Sequence, residues 1–144
     1  MPETTIRELA SETEWKSAFP VMRQLRDHLD RDAYLDYLER MSADGYRLFG
    51  RFVGDELVAV AGVDILTNMY YGRHLWVFDL VTDADHRSEG YGEELVEFLV
   101  EWAEDRGCEK VALSSGLQRS DAHRFYEESV EMERASYVFT RDVA

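Results

Sequence analysis

One cysteine, two prolines and two lysines in 144 residues already narrow what this chain can be. Cys108 alone cannot close an internal disulfide, and a single thiol is not a metal cluster, so a reducing compartment, the cytoplasm, is expected. No apolar run approaches the roughly 18 residues that a membrane span needs, and the opening MPETTIRELA has no basic-then-apolar layout of a signal peptide. A soluble, untargeted protein with no membrane partner follows. Positive charge is also scarce: sixteen Lys plus Arg against thirty Asp plus Glu leave a formal net charge of -14. That balance opposes any sequence-independent grip on phosphate backbones or anionic lipid, so no nucleic-acid partner is expected. The bases are fourteen arginines against Lys16 and Lys110, and the acids run along the whole chain rather than forming a tail. One explanation is an acidic surface of halophilic type, hydrated and screened by salt; the rival is recruitment of a cationic substrate. Repeats, low-complexity tracts and linkers are missing too, which predicts one domain over 1–144.

What is present reads as alternating strands and helices. Thr4 to Leu9 suits a short strand, and Ser11-Glu12-Thr13-Glu14 is a capping box, in which each side chain satisfies an unpaired backbone N–H of the other. Trp15, Phe19, Met22, Leu25, Arg26 and Leu29 then fall near helical spacing, with Pro20 as a kink or early break. Asp32 opens a second helix, with Tyr34, Leu35, Leu38 and Met41 on one face and Gly45 as its stop. Leu48, Gly50 and Phe52 alternate with Arg47, Phe49 and Arg51 as a half-buried strand would, and after the Gly54-Asp55 turn Leu57 to Leu66 completes a hairpin. His74 to Thr82 predicts a central strand. Tyr91, Leu95, Phe98, Leu99 and Trp102 form the apolar face of a helix over Gly90 to Arg106 whose other face is glutamate. A short buried strand over Val111 to Leu113, a helix over Asp121 to Glu128 and a last strand over Ser136 to Arg141 complete the reading.

The informative stretch is Asp85-His86-Arg87-Ser88-Glu89-Gly90-Tyr91-Gly92, between a strand and a helix. Its glycines permit backbone conformations closed to other residues, and the helix start beyond presents unpaired N–H groups of partial positive charge: a phosphate cradle. A Rossmann fingerprint needs a third glycine where Leu95 stands, and a P-loop needs Gly-Lys-Ser/Thr, which is absent. The remaining pattern, Arg87-x-x-Gly90-x-Gly92, resembles the pyrophosphate loop of the GNAT family of N-acetyltransferases. Leu75-Trp76-Val77-Phe78-Asp79-Leu80-Val81-Thr82 looks like that family's fourth strand, and Arg119-Ser120-Asp121-Ala122-His123-Arg124-Phe125-Tyr126-Glu127 like its late helix. The close resemblance covers about Leu75 to Ala144, while the first half agrees in element order alone.

The resemblance implies an α/β fold of α+β type: a three-layer sandwich whose mixed, mostly antiparallel central sheet is flanked by helices and splayed between strands 4 and 5. It implies acetyl-CoA as co-substrate in that splay, with backbone N–H groups of Arg87, Ser88, Glu89, Gly90, Tyr91 and Gly92 around the pyrophosphate. Backbone groups of Leu80, Val81 and Thr82 would pair with the pantetheine arm, and the main-chain N–H near Leu80 would polarise the thioester carbonyl. The family uses a tyrosine at the helical position of Tyr126 to protonate the departing thiolate; the alternative is a core aromatic beside Phe125. Asp79, just before that segment, could accept the amine proton directly or through water, or could equally be a salt-bridge partner. His123, three residues before Tyr126, is a proton carrier or a partly exposed packing residue. Arg119 and Arg124 reach the cofactor phosphates or pair with nearby acids. No metal site is expected, since His28, His74 and His86 have no ligand-spaced companions, and Cys108 reads as a packing thiol with no histidine signal for an acyl-cysteine role.

Departures from the family pattern shape the expectation. Ser88-Glu89 puts a carboxylate beside the anion site, with Glu93 and Glu94 following, and the Gly-Phe that commonly follows the tyrosine is replaced by Glu128-Ser129-Val130-Glu131-Met132. Only twelve residues follow Met132, too few for a long closing hairpin, which leaves the acceptor pocket open or completed by another subunit, a homodimer. The expected activity is direct transfer of an acetyl group to a primary amine of a small molecule, peptide or protein. The alternative is a non-catalytic acyl-CoA binding or sensing module of the same fold.

Overall fold

The computed structural model describes residues 4–116 and 119–143. These fall into two compact units, Met1–Leu113 and Ser114–Ala144, each taken separately below. The first contains β1 (Thr4–Glu8), α1 (Glu12–Met22), α2 (Arg31–Ala43), β2 (Arg47–Val53), β3 (Glu56–Asn68), β4 (Gly72–Thr82), a single 3-10 turn Ala84–His86, α3 (Tyr91–Asp105) and β5 (Lys110–Leu113). The strands form one sheet in the order β1-β2-β3-β4-β5. Each of the first four is antiparallel to its neighbour, whereas β5 lies parallel to β4, as a helical crossover through α3 requires. The mixed, mostly antiparallel sheet flanked by helices is the architecture that the family resemblance implies.

Both faces of the sheet are covered. Val60, Leu48 and Val81 pack with Ala18, Met22, Tyr34 and Leu38 of α1 and α2, while the alternate positions Ala59, Ala61, Phe49, Leu75 and Val77 pack with Leu95, Leu99 and Ala103 of α3. This explains why β3 reads as a nearly continuous apolar run: a strand buried on two sides has no polar face to alternate. It also corrects the half-buried reading of β2, in which Leu48, Phe49 and Arg51 are all buried. The buried guanidinium of Arg51 is compensated by Glu94 of α3, to which its Nε donates at 3.0 Å, by the Phe52 carbonyl at 2.7 Å and by the face of Tyr91 at 5.1 Å.

The helix starts are local and follow the side chains. Ser11 caps α1, accepting from Glu14 N while the Glu14 carboxylate accepts from Ser11 N, which is the capping box read from the sequence. The cap of α2 is Asp30 rather than Asp32: its Oδ1 accepts from Ala33 N at 2.8 Å, three residues on, where an N-cap side chain can reach. Pro20 is accommodated inside α1 near its end.

The second unit contains α4 (Ser120–Arg124), which widens into a π-type turn over Phe125–Ser129. Ser136 to Arg141, expected as a strand, has none among the described residues. Tyr137, Val138 and Phe139 are exposed there, so the alternation has no ladder partner and no buried face to reward it.

Candidate functional site

The site begins where the sheet comes apart. The parallel ladder between β4 and β5 runs from His74↔Lys110 to Val77↔Leu113 and stops, although β4 continues for five more residues, to Thr82. Phe78 to Thr82 therefore keep β3 on one side, with Leu80, Val81 and Thr82 opposite Ala61, Val60 and Ala59. Backbone groups of successive strand residues point alternately to either side, so this half-strand offers N–H and C=O groups on the edge that β5 has left. A register shift between Gly62 and Val63 leaves Phe78 as the extra residue of β4 at the point of separation.

Asp79 follows that bulge, and its carboxylate is engaged on both oxygens. Arg26 donates from Nε to Oδ1 at 2.8 Å and from Nη2 to the Phe78 carbonyl at 2.7 Å, while the Tyr46 hydroxyl donates to Oδ2 at 2.6 Å. The carboxylate is 12% exposed. Burial, and then the Asp79 charge, push the Tyr46 phenol well above its ordinary pKa, so it stays protonated and donating; burial does the same to Tyr34, whose hydroxyl donates to the Trp15 carbonyl. The Tyr46 ring reaches Asp79 only because residue 62 is glycine, where a Cβ would overlap the phenol. The salt-bridge reading of Asp79 is thus realised, and each oxygen keeps a further lone pair. Arg26 and Tyr46 escaped the sequence reading. The one signal is a cation in the apolar stripe that the sequence assigns to the first helix, although α1 ends at Met22 and Arg26 lies beyond it; Arg26 and Tyr46 are 53 and 33 residues from Asp79, too far for a local pattern to join them.

Beyond β4 the chain turns through Ala84–His86 into the loop Arg87 to Gly90 and enters α3. Gly90 is the N-cap, at φ +84°, and it supplies no side chain to the first-turn N–H groups. Ser88 also takes a positive φ, +66°. Two of the acids at this turn have partners: Glu94 is paired by buried Arg51, and Glu89 by His86, whose Nδ1 lies 3.3 Å from Glu89 Oε2. Two segments singled out in the sequence, Asp79 to Thr82 and Arg87 to Gly92, are thus consecutive parts of one strand-turn-helix in the first unit. A helix of fifteen residues ends in amides aimed out of its axis beside a half-strand with an open edge, and such a pair suits a ligand with an anionic group and an extended amide-bearing arm.

Tyr126 belongs to the second unit. Its ring packs edge-on against Phe125 at 5.5 Å, and its carbonyl accepts from Met132 N at 2.8 Å. In the same unit His123 Nε2 donates to the Gly116 carbonyl at 2.8 Å, Arg124 pairs with Asp121, and Arg134 pairs with Glu127 at 3.1 Å. Cys108 packs beside the α3 face of the core as a free thiol. Among the described residues no group of three or more His, Cys, Asp or Glu could hold a metal ion, and no helix is long and apolar enough to cross a membrane.

Comparisons with known proteins bear on the family and the fold. A family model described as the acetyltransferase (GNAT) family matches residues 10–131. The Bacillus subtilis (strain 168) protein YhdJ, described as an uncharacterized N-acetyltransferase, is 40% identical over 139 residues, covering 96% of this chain and 98% of its own. Among solved structures, the aminoglycoside N-acetyltransferase AAC(6')-Iy in complex with CoA aligns with a TM-score of 0.86 at 17% identity, over 100% of this chain and 97% of that one. A transcriptional regulator from Bacillus halodurans C-125 aligns with a TM-score of 0.81 at 24% identity, over 97% and 99% of the two chains. At those identities the two structures share the fold with this chain.

Proposed function

This chain belongs to the acetyltransferase (GNAT) family, and from that premise we propose that it moves the acetyl group of acetyl-CoA directly onto a primary amine of a small molecule, peptide or protein, working as one domain over 1–144 in the cytoplasm. The observation that carries the reading is the uncapped start of α3 behind Arg87-x-x-Gly90-x-Gly92, next to the edge of β4 that β5 leaves open after Val77. Amides of Arg87 to Gly92 grip the diphosphate, where the helix dipole and unpaired N–H groups favour negative charge. Leu80, Val81 and Thr82 pair through their backbone with the pantetheine arm as an added strand would.

The bound thioester supplies an activated acetyl group. The main-chain N–H near Leu80 donates to its carbonyl oxygen, which gains negative charge as the amine nitrogen bonds to the carbonyl carbon. Asp79 takes the proton that the amine sheds, directly or through one water, using a lone pair that Arg26 and Tyr46 leave available. The carbon–sulfur bond then breaks, and Tyr126 gives its phenolic proton to the thiolate.

The test is a thiol-release assay with acetyl-CoA and a panel of small amines and amino-terminal peptides, at low and at molar salt. Amine-dependent release of one thiol per acetylated product is the expected result. Binding of acetyl-CoA with no release on any amine would assign the chain to the sensing alternative, and absence of binding would sink both.

A further inference from the structure

The carboxylate of Glu89 stands in the loop assigned to the diphosphate, and the chain holds it by a group that titrates. We propose that His86 is a positioning residue for CoA binding: as an imidazolium it draws the Glu89 carboxylate away from the amides at the start of α3, and on losing a proton it releases that charge against the incoming diphosphate. The inference rests on the cofactor site proposed above.

The geometry defines the protonation state. His86 Nε2 lies 3.1 Å from Glu56 Oε1, at the first residue of β3, and Nδ1 lies 3.3 Å from Glu89 Oε2. A carboxylate only accepts and a neutral imidazole donates from one nitrogen only, so two carboxylates on the two ring nitrogens require both to carry protons. The other groups facing the ring are Asp83, just past the end of β4, at 3.9 Å from Nε2, and the Tyr91 ring of α3, with centroids 6.1 Å apart. Among the described residues, three acids and no base face the imidazole. Its pKa is accordingly raised, chiefly by the hydrogen bond with Glu56, against a smaller opposing effect of burial, and further by Glu89.

Glu94 shows the contrast. Its partner Arg51 is a buried guanidinium, which stays protonated at every relevant pH, so that pair is permanent. The partner of Glu89 is the one that switches. Glu89 also sits between Ser88 and Gly90, both at positive φ, so the turn that orients it is the turn that aims the α3 amides. Because the folded pKa of His86 is raised, its grip is complete below the ordinary value of about 6.5 and is lost as pH rises through the raised value.

The experiment measures the dissociation constant of CoA from about pH 6 to about pH 9 for the wild type, His86→Gln and Glu89→Gln. The ligand's own titration is common to all three, so the differences report the protein. The wild type should weaken by about three- to fivefold more than Glu89→Gln across that range, a surface-pair magnitude. His86→Gln should bind weakly throughout, while Glu89→Gln should bind tightly with no protein-linked slope. An unchanged pH slope in Glu89→Gln, or wild-type affinity of His86→Gln at the acid end, would overturn the inference and leave the cofactor site standing. Absence of CoA binding in all three proteins at every pH would instead overturn the cofactor reading, and this inference with it.

Discussion

The two halves of β4 are made of similar residues and do different work. From His74 to Val77 the strand is paired on both sides, and Leu75 is wholly buried between β3, β5 and α3. From Phe78 to Thr82 it keeps β3 and loses β5; Phe78 becomes 36% exposed, and Asp79 is tied to Arg26 and Tyr46. Nothing in the local composition marks the boundary, since Leu75-Trp76-Val77 and Leu80-Val81-Thr82 have comparable strand character. The difference is the length of the neighbour: β5 has four residues against eleven in β4, and the unmatched part of a long strand is where a ligand can pair. One half of the strand is therefore a core element, and the other is the edge to which we assign the pantetheine arm.

Substitutions can sharpen or break that division. The largest effect is expected from Leu75→Ala in the paired half, which should cost about 3 to 5 kcal/mol of unfolding free energy by denaturant titration while the folded fraction binds CoA as before. A comparable loss of CoA affinity in the folded protein would break the division. Asp79→Asn in the open half should lower turnover by about 100-fold with little change in CoA affinity, and restoration of rate at high pH, where the amine is already deprotonated, would mark the missing group as a base. Tyr46→Phe removes one donor to that carboxylate and should cost about 1.5 kcal/mol of stability by denaturant titration while leaving CoA affinity unchanged; an unchanged stability would show that the Tyr46–Asp79 hydrogen bond does not hold the open half in place.

Away from β4, Ser11→Ala should cost about 1 kcal/mol and leave CoA affinity alone, since that helix end is filled by its own side chain. The smallest effect concerns Glu14. Burial works against its ionised form, but hydrogen bonds from Arg7, Ala10 and Ser11 outweigh it and hold the carboxyl below its ordinary pKa. Its stabilising contribution is therefore present above the unfolded value of about 4.3 and is lost as pH falls through the folded one. The gap between thermal melts of Glu14→Gln and the wild type should narrow as pH falls below the unfolded value of about 4.3; a gap that stays constant throughout that acid range would remove the carboxylate from the explanation.

Legibility followed sequence distance. The capping box at Ser11 and Glu14, the amphipathic α3 and the strand-turn-helix around Gly90 depend on residues within four or five positions of one another, and each was readable. The Asp30 cap lies two residues before the Asp32 start that the sequence predicts, because either aspartate satisfies the same local pattern and the contact with Ala33 N selects one. Arg51 looked like the polar side of a half-buried strand until α3 brought Glu94 to it. Ser136 to Arg141 alternates as well as any strand here, yet alternation needs a neighbouring edge and a covered face, neither of which is encoded within six residues.

The order of side chains alone settled the family, the run of strands and helices, and the position of a glycine-bearing turn before a glutamate-lined helix, because backbone preference and hydrophobic period act over single turns. Folding in three dimensions decided the rest: where β5 stops, which donors hold Asp79, and that His86 meets Glu56 and Glu89 on its two nitrogens. Such encounters join residues up to 53 positions apart, and electrostatic and hydrogen-bond energies depend on separation in space, a quantity that no local pattern of residues contains.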